Sequence, residues 1–362
     1  MSDSLPVAGP HIHTDRTIPQ LMFGVLAALL PATLYGFYLF GWPAINLFCV
    51  TVLACLLGEA LGLWMNGRPL REYLGDGSAL LTGWLLALSL PPWAPWWIGL
   101  IGGLFAIIVG KQIFGGLGQN VFNPAMLARI ALLVSFPVEM TLWLEPHYLF
   151  SAHAPGFMDG LAITFSGLTE PDSISGASIL GHIKTELSRD HTLGQALEGF
   201  YSPFSAGMGS MPGSLGETSA LLLTAGGAWL LKKRYITWHI PLSMLATVVL
   251  LAGVFYLVDS DHYASPMVHL VSGGLILGAF FIATDPVTSP TTKEGQILFG
   301  AGCGLLVYVI RTWGGYPEGV AFAVVLMNSL TPVIDHYLRP RVYGRSRSGQ
   351  PLPIKRPRNE KS

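Results

Sequence analysis

Gly115-Gly116-Leu117-Gly118-Gln119-Asn120-Val121-Phe122 returns later in the chain as Gly314-Gly315-Tyr316-Pro317-Glu318-Gly319-Val320-Ala321. Each string stands between two apolar runs, and counting runs outward from it gives the architecture. A crossing of the hydrocarbon core takes about 20 apolar residues. Full-length runs fall at 21–41, 44–65, 94–114, 238–258, 294–313 and 318–337, and shorter or interrupted ones at 78–91, 121–137, 218–231 and 267–284. That makes ten segments in two groups of five, divided by a polar stretch at 138–217. In both groups the Gly-Gly string joins the fourth segment to the fifth.

The third segments also correspond. One runs from Ser78 to Pro91 through Thr82-Gly83, the other from Ser272-Gly273-Gly274 to Asp285-Pro286. An odd number of spans per copy turns the second copy upside down. Paired, interrupted segments at matching positions then point to a site near the membrane midplane. Close helix packing enriches glycine too, which is the competing explanation of the likeness. The expected fold is an all-α integral membrane protein of about ten transmembrane helices. They form two inverted five-helix repeats with broken helices and an extracytoplasmic insertion. The expected divisions are 1–20, a cytoplasmic N-terminus; 21–137, the first repeat; 138–217, the extracytoplasmic loop; 218–337, the second repeat; and 338–362, a basic cytoplasmic tail.

Composition agrees with a bilayer. Hydrophobic residues make up 51% of the chain and charged residues 11%, with a mean hydropathy of +0.52, outside the range of soluble domains. A net charge near zero gives no electrostatic footprint for nucleic acid. Cys49, Cys55 and Cys303 all lie in apolar runs and read as packing residues. No Cys/His spacing suggests a metal or iron–sulfur site. The polar N-terminus, Met1 to Gln20, shows no cleavable signal peptide.

Lys and Arg placement gives an orientation. Arg68 and Arg71 follow the second segment, Lys232, Lys233 and Arg234 follow the sixth, and Arg339 to Lys361 is densely basic. With those on one side, both termini are cytoplasmic and 138–217, rich in Asp and Glu, faces outward. The basic tail has no interleaved aromatics, so anionic lipid or a partner suits it better than RNA. Trp93, Trp96 and Trp97 read as an interfacial belt.

Within the polar stretch lies Asp172-Ser-Ile-Ser-Gly-Ala-Ser178. Ser178 closes a turn-prone segment of small residues, an accessible position for its hydroxyl. A lone serine needs a base to act as a nucleophile. There is no Gly-x-Ser-x-Gly elbow, and His182 and His191 are merely nearby, so an autonomous hydrolase is not expected. Modification by a separate transferase needs only an accessible segment, although such a string also reads as a plain flexible loop.

The order of motifs resembles a known family over nearly the full length. It comprises Asp76-Gly-Ser-Ala-Leu-Leu-Thr-Gly83, Ser89-Leu-Pro-Pro92, the run from Gly115 to Met126 containing Asn123-Pro124, Thr284-Asp-Pro-Val-Thr-Ser289, the run from Gly314 to Phe322, and Arg339-Pro-Arg-Val-Tyr-Gly344. Together with the heptapeptide these are similar to the membrane-bound Rnf and Na⁺-translocating NADH:quinone oxidoreductase families. The RnfD component of the Rnf ion-translocating electron-transport complex is the better match, because the related NqrB component of the quinone reductase usually has a longer N-terminus. The resemblance implies FMN esterified through its phosphate to Ser178, where Thr is the usual residue. It implies a second, non-covalent riboflavin held near Asn120, Asn123 and Asp285. Partners implied are the other members of the Rnf complex, among them a second flavin-carrying protein and iron–sulfur proteins, together with a flavin transferase. The setting implied is the bacterial inner membrane, with 138–217 periplasmic.

The residues themselves leave alternatives beside those roles. Asn123-Pro124 opens a helix, where N-capping competes with ligand contact. Asp285 either faces a cavity or partner, or caps a short helix that follows. Glu59, mid-span in Leu57-Gly-Glu-Ala-Leu61, is the candidate for an ion path, against a hydrogen bond to a neighbouring helix. Lys111 and Arg311 precede the two Gly-Gly strings at nearly equivalent places and read as snorkelling anchors. Arg129 pairs either with a carboxylate or with a flavin phosphate. The functional expectation is a component of an NADH/ferredoxin-type translocase, not catalytic alone, coupling flavin electron transfer to H⁺ or Na⁺ movement. The alternatives are a secondary transporter without a redox cofactor, and a scaffold that holds partners without cofactors.

Overall fold

The computed structural model describes residues 17–151, 154–167, 178–189, 191–198, 201–217, 219–316, 318–340 and 350. Among them the regular elements are all helical. Helix α1 runs Ile18–Met65 and is broken at Gly41, whose φ of 70° belongs to the left-handed region. Pro43 follows and cannot return the hydrogen bond of a continuous helix. A straight helix of 48 residues would far exceed a hydrocarbon core of about 30 Å. The break divides it into two arms of crossing length, matching the expected runs at 21–41 and 44–65.

A short α2 (Leu70–Leu74) precedes α3 (Ser78–Ser89) and α4 (Trp96–Ile107), which continues as a π-helical turn over Ile108–Gln112. Next come α5 (Pro124–Ser135), capped by the Asn123 side chain, and α6 (Pro137–Thr141). The stretch expected as a loop carries further helices: α7 (Phe157–Ser166), α8 (Ile179–Leu187), α9 (Leu193–Leu197) and α10 (Pro203–Met208). Local chemistry explains several of them. Ser178 caps α8, and Thr192 forms a capping box with Gln195 at α9.

The remaining apolar helices are α11 (Ala220–Lys232), α12 (His239–Val258), α13 (Pro266–Val271), α14 (Leu275–Leu277) with a π-helical turn over Gly278–Ile282, α15 (Lys293–Trp313) and α16 (Val320–Tyr337). The run at 267–284 is thus broken at Ser272-Gly273-Gly274, as its small residues suggest. α1, α12, α15 and α16 are long and apolar enough to cross a membrane. Their outward faces expose Leu34, Leu53, Leu57, Leu250, Val254, Leu298 and Leu330, a surface that suits lipid better than water. The chain is a multi-pass membrane protein.

Inside, one apolar core runs from Leu29 and Leu86 through Ile107 and Ala128 to Met244 and Phe299. Polar contacts also join early and late elements. The Asn123 backbone N–H donates to Asn328 Oδ1 of α16 at 3.1 Å, and Asn328 Nδ2 donates to the Thr288 carbonyl at 3.1 Å. These bonds tie the N-terminus of α5 to α16 and to the link after the broken helix.

Candidate functional site

Lys111 and Arg311, each just before one of the Gly-Gly strings, are both buried and organise the interior. Lys111, expected at an interface, is instead only 2% exposed. Its Nζ donates to Glu59 Oε1 at 2.8 Å and to Ser78 Oγ at 2.7 Å. The Ser78 hydroxyl in turn donates to Asp76 Oδ1 at 2.6 Å. Glu59, which has no cation in its own helix, therefore takes one from the π-helical turn after α4, while its Oε2 has no partner. An isolated buried ion is costly, so the pairing explains why both are tolerated there.

Arg311 of α15 is likewise buried rather than snorkelling. It donates to the carbonyls of His269 at 2.8 Å and Ser272 at 3.0 Å, and to Glu318 Oε1 at 3.3 Å. Glu318 accepts from the Gly274 backbone N–H at 2.9 Å, and its Oε2 lies 4.0 Å from Arg129 Nη2. Arg129 also donates to the Ser89 carbonyl. Of the two partners open to Arg129, the structure supplies the carboxylate. Gly273, at φ +70°, lies so close to Glu318 Oε1 and Arg311 Nη2 that a Cβ would overlap them.

Beside Lys111 a cleft is lined by Ser78, Asn120, Asn123, Thr284, Asp285 and apolar side chains including Phe281. It brings Asn120, Asn123 and Asp285 together; Ser178 is not among its lining residues. Asn123 is the N-cap of α5, its Oδ1 accepting from Met126 N–H at 3.2 Å. Asp285 accepts from Val287 N–H at 3.2 Å and from Thr288 Oγ1 at 3.3 Å. The capping role of Asn123 is therefore real, whereas Asp285 holds a turn and no helix begins until Lys293, which Thr292 caps. Asn120 differs: Nδ2 donates to the Phe122 carbonyl at 3.0 Å, but the buried Oδ1 has no partner. A buried acceptor without a donor is costly and suits a site that awaits an N–H group.

Ser178 borders a smaller cavity with Glu217, Ser272 and Gly273. Ser178, its hydroxyl expected to be accessible, is buried at 3% exposure, and its Oγ accepts from Gly181 N–H at 3.2 Å. Capping accounts for the difference, since the first turn of α8 needs an acceptor. Asp172 to Ala177 lie outside the described residues. α8 is held to the bundle by Lys184, whose Nζ donates to the carbonyls of Ile310 at 3.2 Å, Gly314 at 2.6 Å and Tyr316 at 2.8 Å. Partial burial, and then the nearby Arg311 charge, hold the Lys184 ammonium below its ordinary pKa. Glu217 accepts from Ser214 Oγ at 2.8 Å.

Sequence reasoning had singled out neither Lys184 nor the roles of Glu217 and Glu318. One signal existed for Glu318: it stands in the second Gly-Gly string where the first has Gln119. Among the described residues no cluster of His, Cys, Asp and Glu could hold a metal ion.

Comparison with known proteins follows the same motifs. The model of the NQR2, RnfD, RnfE family matches residues 7–344. A protein of Halorhodospira halophila, named as the D component of an ion-translocating oxidoreductase complex, is 55% identical over 96% of this chain and 97% of its own length. A protein of the same name from Stutzerimonas stutzeri is 55% identical over 93% of the chain and 95% of its length. One from Escherichia coli O17:K52:H18 is 45% identical, covering 93% and 97%. With the match spanning both Gly-Gly strings, the Ser178 region and the broken helices, the chain belongs to the NQR2, RnfD, RnfE family.

Proposed function

We propose that this protein is a membrane component of an ion-translocating oxidoreductase complex. It carries electrons through FMN ester-linked to Ser178 and through a second, non-covalent flavin in the cleft of Asn120, Asn123 and Asp285. The names of its relatives support membership of such a complex. The observation that carries the flavin reading is the cleft itself. It joins an apolar wall, a buried unpaired acceptor at Asn120, and a cation at Lys111. An isoalloxazine offers an apolar face and an edge of alternating N–H and carbonyl groups, which such a lining fits.

At Ser178 the fit is electrostatic. A phosphoester there would put anionic oxygens at the N-terminus of α8, where backbone N–H groups and the helix dipole favour them. The flavin supplies the redox chemistry when bound; the protein orients it and tunes its surroundings. Lys184 fixes α8 against α15, Asn123 holds the entry to α5, and Asp285 shapes the turn that closes the cleft. Glu59 with Lys111 gives a buried charged pair on an ion path. Its unpaired Oε2 can receive a proton or share a cation.

In the inner membrane the ten apolar segments form two inverted five-helix repeats. The contacts of Lys111 with the Ser78 hydroxyl and of Arg311 with the Ser272 carbonyl support that arrangement, because the four residues occupy nearly equivalent places in the two copies. Both termini then lie in the cytoplasm and 138–217 outside. Partners are the peripheral and membrane proteins of the complex and a flavin transferase. An absorbance spectrum of the full chain, purified from cells with that transferase, tests the reading. A flavin band is expected; a colourless chain that transports a solute by itself would establish the secondary-transporter alternative instead.

A further inference from the structure

One ionisable group near Ser178 has no part in the chemistry above. Glu217 lies in the turn Leu215–Glu217 and borders the cavity with Ser178, Ser272 and Gly273. Glu318, Arg129 and Arg311 face it electrostatically, and Ser214 donates to it. Lys184 and His269 stand beyond, against Arg311. Two further features show that the cavity has unmet polar capacity. Ser272 Oγ is buried without a partner on the cavity wall, and Arg311 Nε is buried without one beside it. An unpaired hydroxyl and a carboxylate lining one space suit a site that exchanges a proton with water.

We propose that Glu217 is a proton-loading site for the redox group at Ser178, taking up a proton when that group gains an electron and releasing it when the electron leaves. The inference rests on the reading that Ser178 carries a flavin. Charge balance is the reason. With Glu217 ionised, two guanidinium groups and two carboxylates cancel; with it protonated, the cluster is positive and offsets an electron added at the group on Ser178, which lines the same cavity. The electron comes from the reductant and the proton from water. One O–H bond forms on the Glu217 carboxylate, no bond of the protein breaks, and both particles leave on reoxidation. Burial first, and then repulsion by Glu318, push the Glu217 carboxyl up to about 7, against the pull of Arg129 and Ser214. It is therefore poised to change state near neutral pH.

The test is reduced-minus-oxidised infrared difference spectroscopy of the full chain carrying its flavin, with dithionite as reductant. A protonated-carboxyl stretch should grow on reduction and move down in D₂O. It should vanish in Glu217→Gln, shift in frequency in Glu217→Asp, and persist in Glu318→Gln. The Asp variant keeps the acid, so it decides the matter if the Gln variant does not accumulate. A chain whose visible flavin absorbance bleaches without any carboxyl signal overturns the role of Glu217 alone, as does a signal that survives Glu217→Gln. A chain without flavin absorbance overturns the parent reading and this role with it.

Discussion

Lys111 Nζ and Glu59 Oε1 are 2.8 Å apart, each in a side chain no more than 3% exposed, and the two residues come from different helices. The contact fastens the long second arm of α1 to the end of α4 and leaves one carboxylate oxygen free.

Breaking that pair from either side should be costly. Lys111→Met strands the Glu59 carboxylate in the interior, a loss of about 3–5 kcal/mol. Removing both charges together in Lys111→Met/Glu59→Leu should recover much of it. Thermal unfolding in detergent, monitored by circular dichroism, gives the comparison. If the double variant is no more stable than the single one, the two residues do not act as a buried pair.

Lys184 makes a separable prediction. It donates to three carbonyls at the end of α15 and in the link that follows. Lys184→Met should cost about 1–3 kcal/mol, as for a lost charged hydrogen-bond donor. It should also lower the fraction of chains bearing covalent flavin, because α8 carries Ser178. Quantitative in-gel fluorescence against total protein measures that fraction; an unchanged ratio would show that α8 is positioned without this latch.

At the cleft, Asn120→Ala removes an acceptor that has no partner within the protein. Because Asn120 Nδ2 also donates to the Phe122 carbonyl, stability should fall by about 0.5–1.5 kcal/mol. Retention of the non-covalent flavin should fall about tenfold, equivalent to a hydrogen bond of about 1.4 kcal/mol. Flavin released by denaturation and separated chromatographically from the covalent fraction gives the number. Loss of the covalent flavin instead would mean that the cleft and Ser178 serve a single site.

Glu217 gives a dependence on pH with a definite sign. Its carboxyl titrates near 4.3 when unfolded, roughly the model-peptide value, and is raised to about 7 in the fold. The native state then binds the extra proton, so the contribution to stability is complete below the unfolded value. It is lost progressively as pH rises through the window between the two. The slope is at most about 1.4 kcal/mol per pH unit. Unfolding temperatures measured from about pH 5 to 8, the range that brackets this titration, should decline for the wild type and less for Glu217→Gln. Equal slopes would count against a raised carboxyl.

Much of the architecture could be read from the chain because the bilayer imposes a simple code. Apolar runs had to be helices, the gap between the runs at 21–41 and 44–65 fell at the break of α1, and Ser272-Gly273-Gly274 marked another break. Asn123 was legible both as a cap and as a cleft residue for the same reason, that a helix N-terminus needs acceptors. The polar stretch was less transparent. Its helices are short and set by caps such as Ser178 and Thr192, which carry no long period. The partners of the buried cations were hidden for another reason. Lys111 and Glu59 lie 52 residues apart and Arg311 and Ser272 39 apart, so only the packed helices bring them together. A cation near a helix end reads as snorkelling until its neighbours are known.

The whole electron path depends on a flavin at Ser178, and a denaturing gel viewed under ultraviolet light decides whether one is there. Full-length protein from cells containing the flavin transferase should give a fluorescent band at the mass of this chain. Ser178→Ala should abolish the fluorescence without removing the protein stain, and Ser178→Thr should retain it. A dark wild-type band, or fluorescence that survives Ser178→Ala, would mean that electrons do not enter through this residue.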